Sequence, residues 1–229
     1  MPVATQAVLL DALGTLVELE PPAERLRAAL GGELPPGSVE RAMRAEMSYY
    51  REHSHEARDA ESLAALRRTC AALLSAELGR EVAVETMMAA IRFRAFGDAA
   101  AALAELRGLG LALVCVSNWD CSLPEVLERV GLAGALDGAV ASATAGHRKP
   151  DPAIFAAGLE LAGCGPEEAL VVGDTPAEDV AGARAAGIPA LLLDRNGDLP
   201  PEGSDPKGTG RGEVAVISSL GEISHHLRR

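Results

Sequence analysis

The chain has 229 residues, of which 48% are hydrophobic, and a formal net charge of -12 at pH 7. Such a chain can bury a large core, and its charge argues against attraction to nucleic acid or an anionic membrane. Its four cysteines form no C-x-x-C pair, and no apolar run approaches the length of a membrane span. We therefore expect a cytoplasmic protein that has neither nucleic-acid nor membrane partners.

Short apolar runs rich in Val and Leu alternate with helical patterns along most of the chain. The runs lack period-2 alternation, which is typical of parallel strands covered on both faces. The predicted strands are 7–10, 111–116, 138–141, 169–172, 188–193 and 214–217, and the predicted helices are 98–109, 123–130, 153–162 and 177–186. Strands and helices in this order predict an α/β fold with a doubly wound parallel sheet.

One interval breaks the alternation. No strand is predicted between about residues 20 and 96, where Ala, Leu, Arg and Glu place apolar side chains at helical spacing. This interval is far longer than a crossover between parallel strands needs. We therefore predict an inserted helical subdomain at 20–96 and a core made of 1–19 and 97–229. The stretch 195–212, rich in Gly, Pro and Asp, is expected to be a surface loop.

Polar side chains follow four of the predicted strands. Because ligands of open α/β sheets bind at the carboxyl ends of the strands, these side chains are expected to lie close together. They are Asp11 after the first strand, Ser117 and Asn118 after the second, Lys149 after the third, and Asp174, Glu178 and Asp179 after the fourth. Two acids and a lysine can hold a divalent cation and a phosphate group between them.

Four short motifs, "DALGTL", "SN", "KPDP" and "GDTPAEDVAGARAAG", occur in this order along the chain. Together they resemble the four motifs of the haloacid dehalogenase-like hydrolase superfamily. The resemblance covers nearly all of the predicted core and implies a Rossmann-like topology for it. The helical insertion stands where that family carries its C1 cap.

The resemblance also implies an activity, that of a Mg²⁺-dependent phosphatase acting on a small phosphorylated metabolite, as a monomer or homodimer. Asp11 would be the nucleophile and would form an aspartyl-phosphate. Ser117 and Asn118 would contact the phosphoryl group, and Lys149 would neutralise the charge developing on it. The ligands implied for Mg²⁺ are Asp11, the backbone carbonyl of Leu13, Asp174 and Asp179, with Glu178 close to them.

Leu13 departs from the family pattern. Most phosphatases that resemble this chain carry a second aspartate there, which protonates the leaving oxygen and then activates water. General acid–base catalysis of this kind accelerates a reaction by roughly 10²- to 10⁴-fold, and a leucine cannot supply it. Its backbone carbonyl can still face a metal ion.

Three hypotheses follow from this departure. The first is a phosphatase with weakened proton transfer. The second is a haloacid dehalogenase or phosphonate-type C–X hydrolase, because a halide leaves without protonation. The third is a catalytically impaired protein that binds metal or phosphate and regulates a partner. The acids of "GDTPAED" favour the first, since clustered carboxylates raise one another's pKa unless a cation lies between them.

Overall fold

The computed structural model describes residues 4–31, 33–197 and 214–227, so most of the loop predicted at 195–212 lies outside the described residues. The strands are β1 Ala7–Leu10, β2 Val17–Glu20, β3 Arg92–Ala95, β4 Ala112–Ser117, β5 Gly138–Ala141, β6 Ala169–Gly173, β7 Ala190–Leu193 and β8 Ala215–Ile217. Six of them form a parallel sheet in the order β5-β4-β1-β6-β7-β8. This arrangement confirms the predicted α/β fold class.

Helices cover both faces of this sheet. The α-helices are α1 Pro22–Leu30, α2 Ser38–His53, α3 Ala60–Leu78, α4 Val84–Ala90, α5 Ala99–Gly108, α6 Leu123–Arg129, α7 Ser142–Ala145, α8 Pro152–Ala162 and α9 Ala181–Ala185. Alternate residues of β1 enter different cores: Val8 and Leu10 lie in the cluster that includes α5 and α6, whereas Leu9 lies in the cluster that includes α8 and α9. Such alternation is expected of a strand buried on both faces. No helix in the described ranges is long and apolar enough to cross a membrane.

Helices α1 to α4, which we call the helical insertion, lie in the chain between β2 and β3. They share an apolar cluster of their own, in which Leu26, Met43, Leu74 and Met87 are almost completely buried. This cluster is distinct from the two clusters on the faces of the sheet. The division into a core of 1–19 and 97–229 and a subdomain of 20–96 stays a prediction.

The expectation that no strand lies between 20 and 96 is wrong at β3. This strand pairs antiparallel with β2, and Arg94 forms an ion pair with Glu18 across the ribbon at 2.9 Å. Phe93 packs against the sheet core, while Arg92 and Arg94 are exposed. A four-residue alternation that carries two arginines is too short to stand out from the helical composition around it.

The fourth motif also differs from the continuous helix predicted at 177–186. A wide π-type turn occupies Pro176–Val180, and the regular helix α9 begins only at Ala181. The carbonyl of Thr175 accepts backbone hydrogen bonds from Glu178 and Asp179, and the Asp179 carboxylate accepts one from the Thr175 N–H at 3.0 Å. The chain therefore folds around the Asp179 side chain, which is buried.

Candidate active site

The candidate site lies at the point in the sheet where the strand order reverses, at β1. Strands β4 and β5 lie on one side of β1, and β6, β7 and β8 lie on the other. Asp11, Ser117 and Asp174 stand at the carboxyl ends of β1, β4 and β6, which are neighbours in the sheet. Ligands of doubly wound sheets bind at such a switch point.

Asp11 is held by hydrogen bonds on one of its two carboxylate oxygens. Its Oδ1 accepts from the Ser117 hydroxyl at 3.0 Å and from Lys149 Nζ at 2.8 Å. No hydrogen bond reaches Oδ2 from the residues that the structure describes, and Asp11 lines a cavity. Burial raises the pKa of Asp11 to about 7, although the charge of Lys149 acts in the opposite direction.

Lys149 lies between two carboxylates. Its Nζ contacts Asp11 Oδ1 at 2.8 Å and Asp179 Oδ1 at 2.6 Å, and the lysine is only 3% exposed. Burial alone would lower the pKa of Lys149, but the two carboxylates outweigh it and hold that pKa above its usual range. The lysine is therefore a fixed positive charge at the base of the site.

Asn118 positions the Lys149 loop. Its Oδ1 accepts from the Lys149 backbone N–H at 2.7 Å, and its Nδ2 donates to the Lys149 carbonyl and to Glu178 Oε2. Both ends of the Asn118 amide are thus engaged by the protein. Contact with a phosphoryl group stays a prediction for Asn118, whereas the structure gives it a positioning contact with Lys149.

Three acids converge beside the lysine. One carboxylate oxygen from each of Asp11, Asp174 and Asp179 lies within 4.8 Å of the others. Burial and the charge of Asp179 raise the pKa of Asp174. Thr175 donates from its backbone to Asp179 Oδ2 and from its hydroxyl to Asp174 Oδ1. Three carboxylates this close to one another and only one lysine leave a deficit of positive charge, which a divalent cation fits.

The turn after Asp11 is shaped to admit the Asp174 side chain. Gly14 has φ +89°, and a Cβ atom built on it would lie 2.0 Å from Asp174 Oδ2. Glycine is therefore required both by the backbone conformation and by the space. Leu13, just before it, is half-buried, packs against the sheet core and lines the cavity.

Arg195 fixes this turn from outside, and nothing in the sequence pattern indicated it. Its guanidinium donates to the carbonyls of Gly14 and Thr15 and pairs with both oxygens of Asp98. It also lies over the Phe96 ring, 3.9 Å from the centroid. These contacts join the loop after β7 to the loop after β1.

A cavity of about 780 Å³ opens above these residues, between the strand ends and the helical insertion. The insertion contributes a largely apolar wall, and the core contributes the acids, Ser117 and Trp119. Trp119 is 4% exposed and packs against Phe93 of β3, with ring centroids 5.0 Å apart. The volume suits a small-molecule ligand.

Polar contacts join the helical insertion to the core beside the cavity. The Tyr50 hydroxyl donates to Asp120 Oδ2 at 2.8 Å, and the Cys121 N–H donates to the Ala57 carbonyl at 2.9 Å. Arg148 reaches the last carbonyls of α2 at 3.4 Å. The sequence reasoning missed these contacts because their partners lie far apart in the chain.

The structure brings all of the predicted site residues together. Those that meet around the acids and the lysine, or line the cavity above them, are Asp11, Leu13, Ser117, Asn118, Lys149, Asp174, Glu178 and Asp179. Their individual roles in binding and catalysis stay predictions.

Comparison with known proteins identifies relatives of this site. A family model described as haloacid dehalogenase-like hydrolase matches residues 5–187. Phosphoserine phosphatase from Thermus thermophilus is 40% identical over 134 residues, which cover 58% of this chain and 52% of that protein. The match therefore spans about half the length of that curated relative.

Two solved structures share the fold over nearly the whole chain. A HAD phosphatase from Thermococcus onnurineus has a TM-score of 0.66 at 23% identity, and the match covers 97% of both chains. The L-2-haloacid dehalogenase from Xanthobacter autotrophicus has a TM-score of 0.69 at 24% identity, with 96% of this chain and 97% of that one covered. The fold is thus similar to that of a phosphatase and to that of a dehalogenase.

Proposed function

The chain belongs to the haloacid dehalogenase-like hydrolase family, and from this premise we propose that it is a Mg²⁺-dependent phosphatase acting on a small phosphorylated metabolite. The proposal rests on one observation: three carboxylates, those of Asp11, Asp174 and Asp179, lie close together beside Lys149. A halide displacement needs no cation at the nucleophile, whereas transfer of a phosphoryl dianion toward a carboxylate needs its charge neutralised.

In this proposal Asp11 attacks phosphorus through Oδ2, the oxygen that accepts no hydrogen bond from the described residues. A bond forms between Oδ2 and phosphorus, and the bond from phosphorus to the ester oxygen breaks with its electron pair. Water then hydrolyses the aspartyl-phosphate to inorganic phosphate and regenerates Asp11. Ser117 and Lys149 hold Oδ1 in place, so the carboxylate is oriented before the substrate binds.

The acids would hold Mg²⁺, which when bound offsets the negative charge of the phosphoryl oxygens. Asp11, Asp174 and the Leu13 carbonyl would be its protein ligands. Asp179 would contribute mainly its charge, because Lys149 and Thr175 already bind its two oxygens. Gly14 leaves the space in which the Asp174 carboxylate lies.

Leu13 sets the expected substrate preference. With no acid at this position, the leaving oxygen must depart without a proton from this side chain. Esters of acidic alcohols, such as p-nitrophenyl phosphate, should therefore react much faster than alkyl phosphates.

The proposal is tested by p-nitrophenyl phosphate hydrolysis in Mg²⁺. EDTA and Asp11→Asn should each abolish turnover, and Glu160→Gln, an exposed substitution on α8, should leave it unchanged. Turnover that persists in EDTA or in Asp11→Asn would contradict the proposal.

The second candidate is a 2-haloacid dehalogenase, favoured by the absence of an acid at position 13. Incubation with 2-chloropropionate should release no chloride if the phosphatase proposal is correct. Chloride release that is unaffected by EDTA would replace the phosphatase assignment. Metal binding without turnover of either substrate would support a binding protein instead.

A further inference from the structure

The wall of the cavity contributed by the helical insertion combines apolar, sulfur-rich side chains with a few polar ones. Helix α2 presents side chains at helical spacing, and α3 and α4 complete the wall. Its apolar members are Met43, Met47, Leu66, Cys70, Met87, Met88 and Ile91. Methionine-rich walls adapt to flexible alkyl groups.

Glu46 interrupts this wall. It lines the cavity, is only 3% exposed, and forms no ion pair with the residues that the structure describes. The Cys70 thiol lies beside it, and burial raises the pKa of Glu46. A carboxylate buried in apolar surroundings is costly unless a cation compensates it. Among the described insertion residues that line the cavity, Glu46 is the only acid.

Glu46 lies beyond the phosphoryl end of the cavity. Tyr50, one helical turn later on α2, contacts the core through Asp120. Arg51 and Arg67 line the cavity, and Arg67 lies close enough to Tyr50 to act on the pKa of its hydroxyl. Arg67 thus lies near the residue of α2 that contacts the core, whereas Glu46 lies one helical turn before that residue.

This order of charges orients a ligand. A phosphate dianion is attracted toward the arginines and the metal site, and a positive group at its other end is attracted toward Glu46. A hydroxyl group would satisfy one oxygen of Glu46 but would not compensate its charge.

We propose that Glu46 is a specificity-determining residue that binds a primary ammonium group on the alcohol part of the phosphate ester. The proposal rests on the proposed function, and it names the substrate class as aminoalkyl phosphates. The methionine wall would contact the alkyl chain between the two charged ends.

Binding of non-hydrolysable phosphonates tests this proposal without requiring turnover. The dissociation constants of ω-aminoalkyl-, ω-hydroxyalkyl- and n-alkylphosphonates of increasing chain length are measured by calorimetry in Mg²⁺. At one chain length the amine should bind about tenfold more tightly than the alkyl and hydroxyl analogues of equal size. The chain length at which the amine is preferred gives the distance between the phosphonate bound at the metal site and the carboxylate of Glu46.

Two substitutions at position 46 and a control on the same helix locate the effect. Glu46→Gln should remove the preference for the amine, and Glu46→Asp should retain it with an optimum one methylene longer. Glu52→Gln, exposed on α2, should bind the series as the wild type does.

Absence of an amine preference in the wild type, an equal preference for the hydroxyl, or a preference that survives in Glu46→Gln would overturn the assignment. Turnover of p-nitrophenyl phosphate reports the proposed function separately. Failure of that reaction and failure of the amine preference are therefore distinct results.

Discussion

At the scale of single residues, Lys149 compensates the negative charge of the acids that lie close together in the site. It is the one cation that ion-pairs with Asp11 and Asp179 among the described residues. Removing one partner of a buried ion pair leaves the other charge uncompensated, which costs far more than the loss of a surface pair.

Lys149→Met should therefore lower the free energy of unfolding by about 3 kcal/mol at neutral pH and abolish turnover. Saturating Mg²⁺ should restore part of the stability, because binding to the folded state stabilises it. Urea unfolding checks this prediction. Arg107→Met is the matched control, since it breaks a more exposed pair with Asp137, and its loss should stay below about 1 kcal/mol. Equal losses in the two variants would contradict the role assigned to Lys149.

Leu13 is the second residue with a measurable consequence. Leu13→Asp supplies an acid at the position where the family pattern has one, so turnover of alkyl phosphates should rise, by up to about 10²-fold. Turnover of p-nitrophenyl phosphate should rise as well, because the restored acid also activates the water that hydrolyses the aspartyl-phosphate. Steady-state kinetics on both esters provides the comparison. An unchanged or lower rate on the alkyl ester would show that Leu13 does not limit the reaction.

Glu46 should carry a stability cost that depends on pH. Because burial holds the pKa of Glu46 above the ordinary value of 4.5, the folded protein retains a proton that the unfolded chain releases. Its contribution to stability is therefore lost as pH rises above that value. The free energy of unfolding of Glu46→Gln minus that of the wild type should therefore grow as pH rises above 4.5 and become constant above the raised pKa of Glu46. A difference that stays flat over this range in urea titrations would contradict the prediction, and Glu52→Gln serves as the control.

At the scale of elements, the turn between β1 and β2 is the tightest point of the site. Gly14→Ala adds a Cβ atom that would lie 2.0 Å from Asp174 Oδ2, on a backbone with φ +89°. We expect loss of turnover and a free energy of unfolding lower by more than 1 kcal/mol, roughly the cost of the backbone strain alone. Gly131→Ala has a similar φ of +79° and nothing within 4 Å, so it isolates that strain. Equal turnover in the two variants would show that the contact with Asp174 is unimportant.

A secondary-structure element could be predicted from the sequence when its pattern lies within the element itself, and not when it depends on contacts with distant residues. Parallel strands show as apolar runs, so all six strands of the sheet could be located from the sequence, including β8, of which only Ile217 is buried. Strand β3 could not be located, because its pairing with β2 joins residues more than seventy positions apart, from Glu20 and Arg92 to Val17 and Ala95, and its own four residues carry little pattern. The wide turn around Asp179 likewise depends on a carboxylate–backbone contact that composition does not encode.

At the scale of the whole molecule, the sheet topology explains why the site residues could be named in advance. Residues that follow neighbouring parallel strands must meet at one edge, so Asp11, Ser117 and Asp174 were accessible to sequence reasoning. Contacts between segments that lie far apart in the chain could not be predicted from the sequence. Tyr50 and Asp120 are 70 positions apart, and Arg195 and Thr15 are 180 apart.

The helical insertion completes the site by covering the strand ends. Its contacts through Tyr50, Ala57 and the end of α2 leave a cavity in which the acids are largely shielded from water. Exclusion of water strengthens the interactions among charged groups there and favours transfer of the phosphoryl group to Asp11.

Whether Asp11 is a nucleophile that depends on Mg²⁺ is tested most directly by rapid mixing of the protein with p-nitrophenyl phosphate and Mg²⁺. Without an acid at position 13 to activate water, hydrolysis of the aspartyl-phosphate should be slower than its formation. We expect a burst of p-nitrophenolate equal to the enzyme concentration and a phosphoryl group on Asp11 in acid-quenched protein, and both should be absent in EDTA. Linear release with unmodified Asp11, or a burst that persists in EDTA, would contradict this expectation.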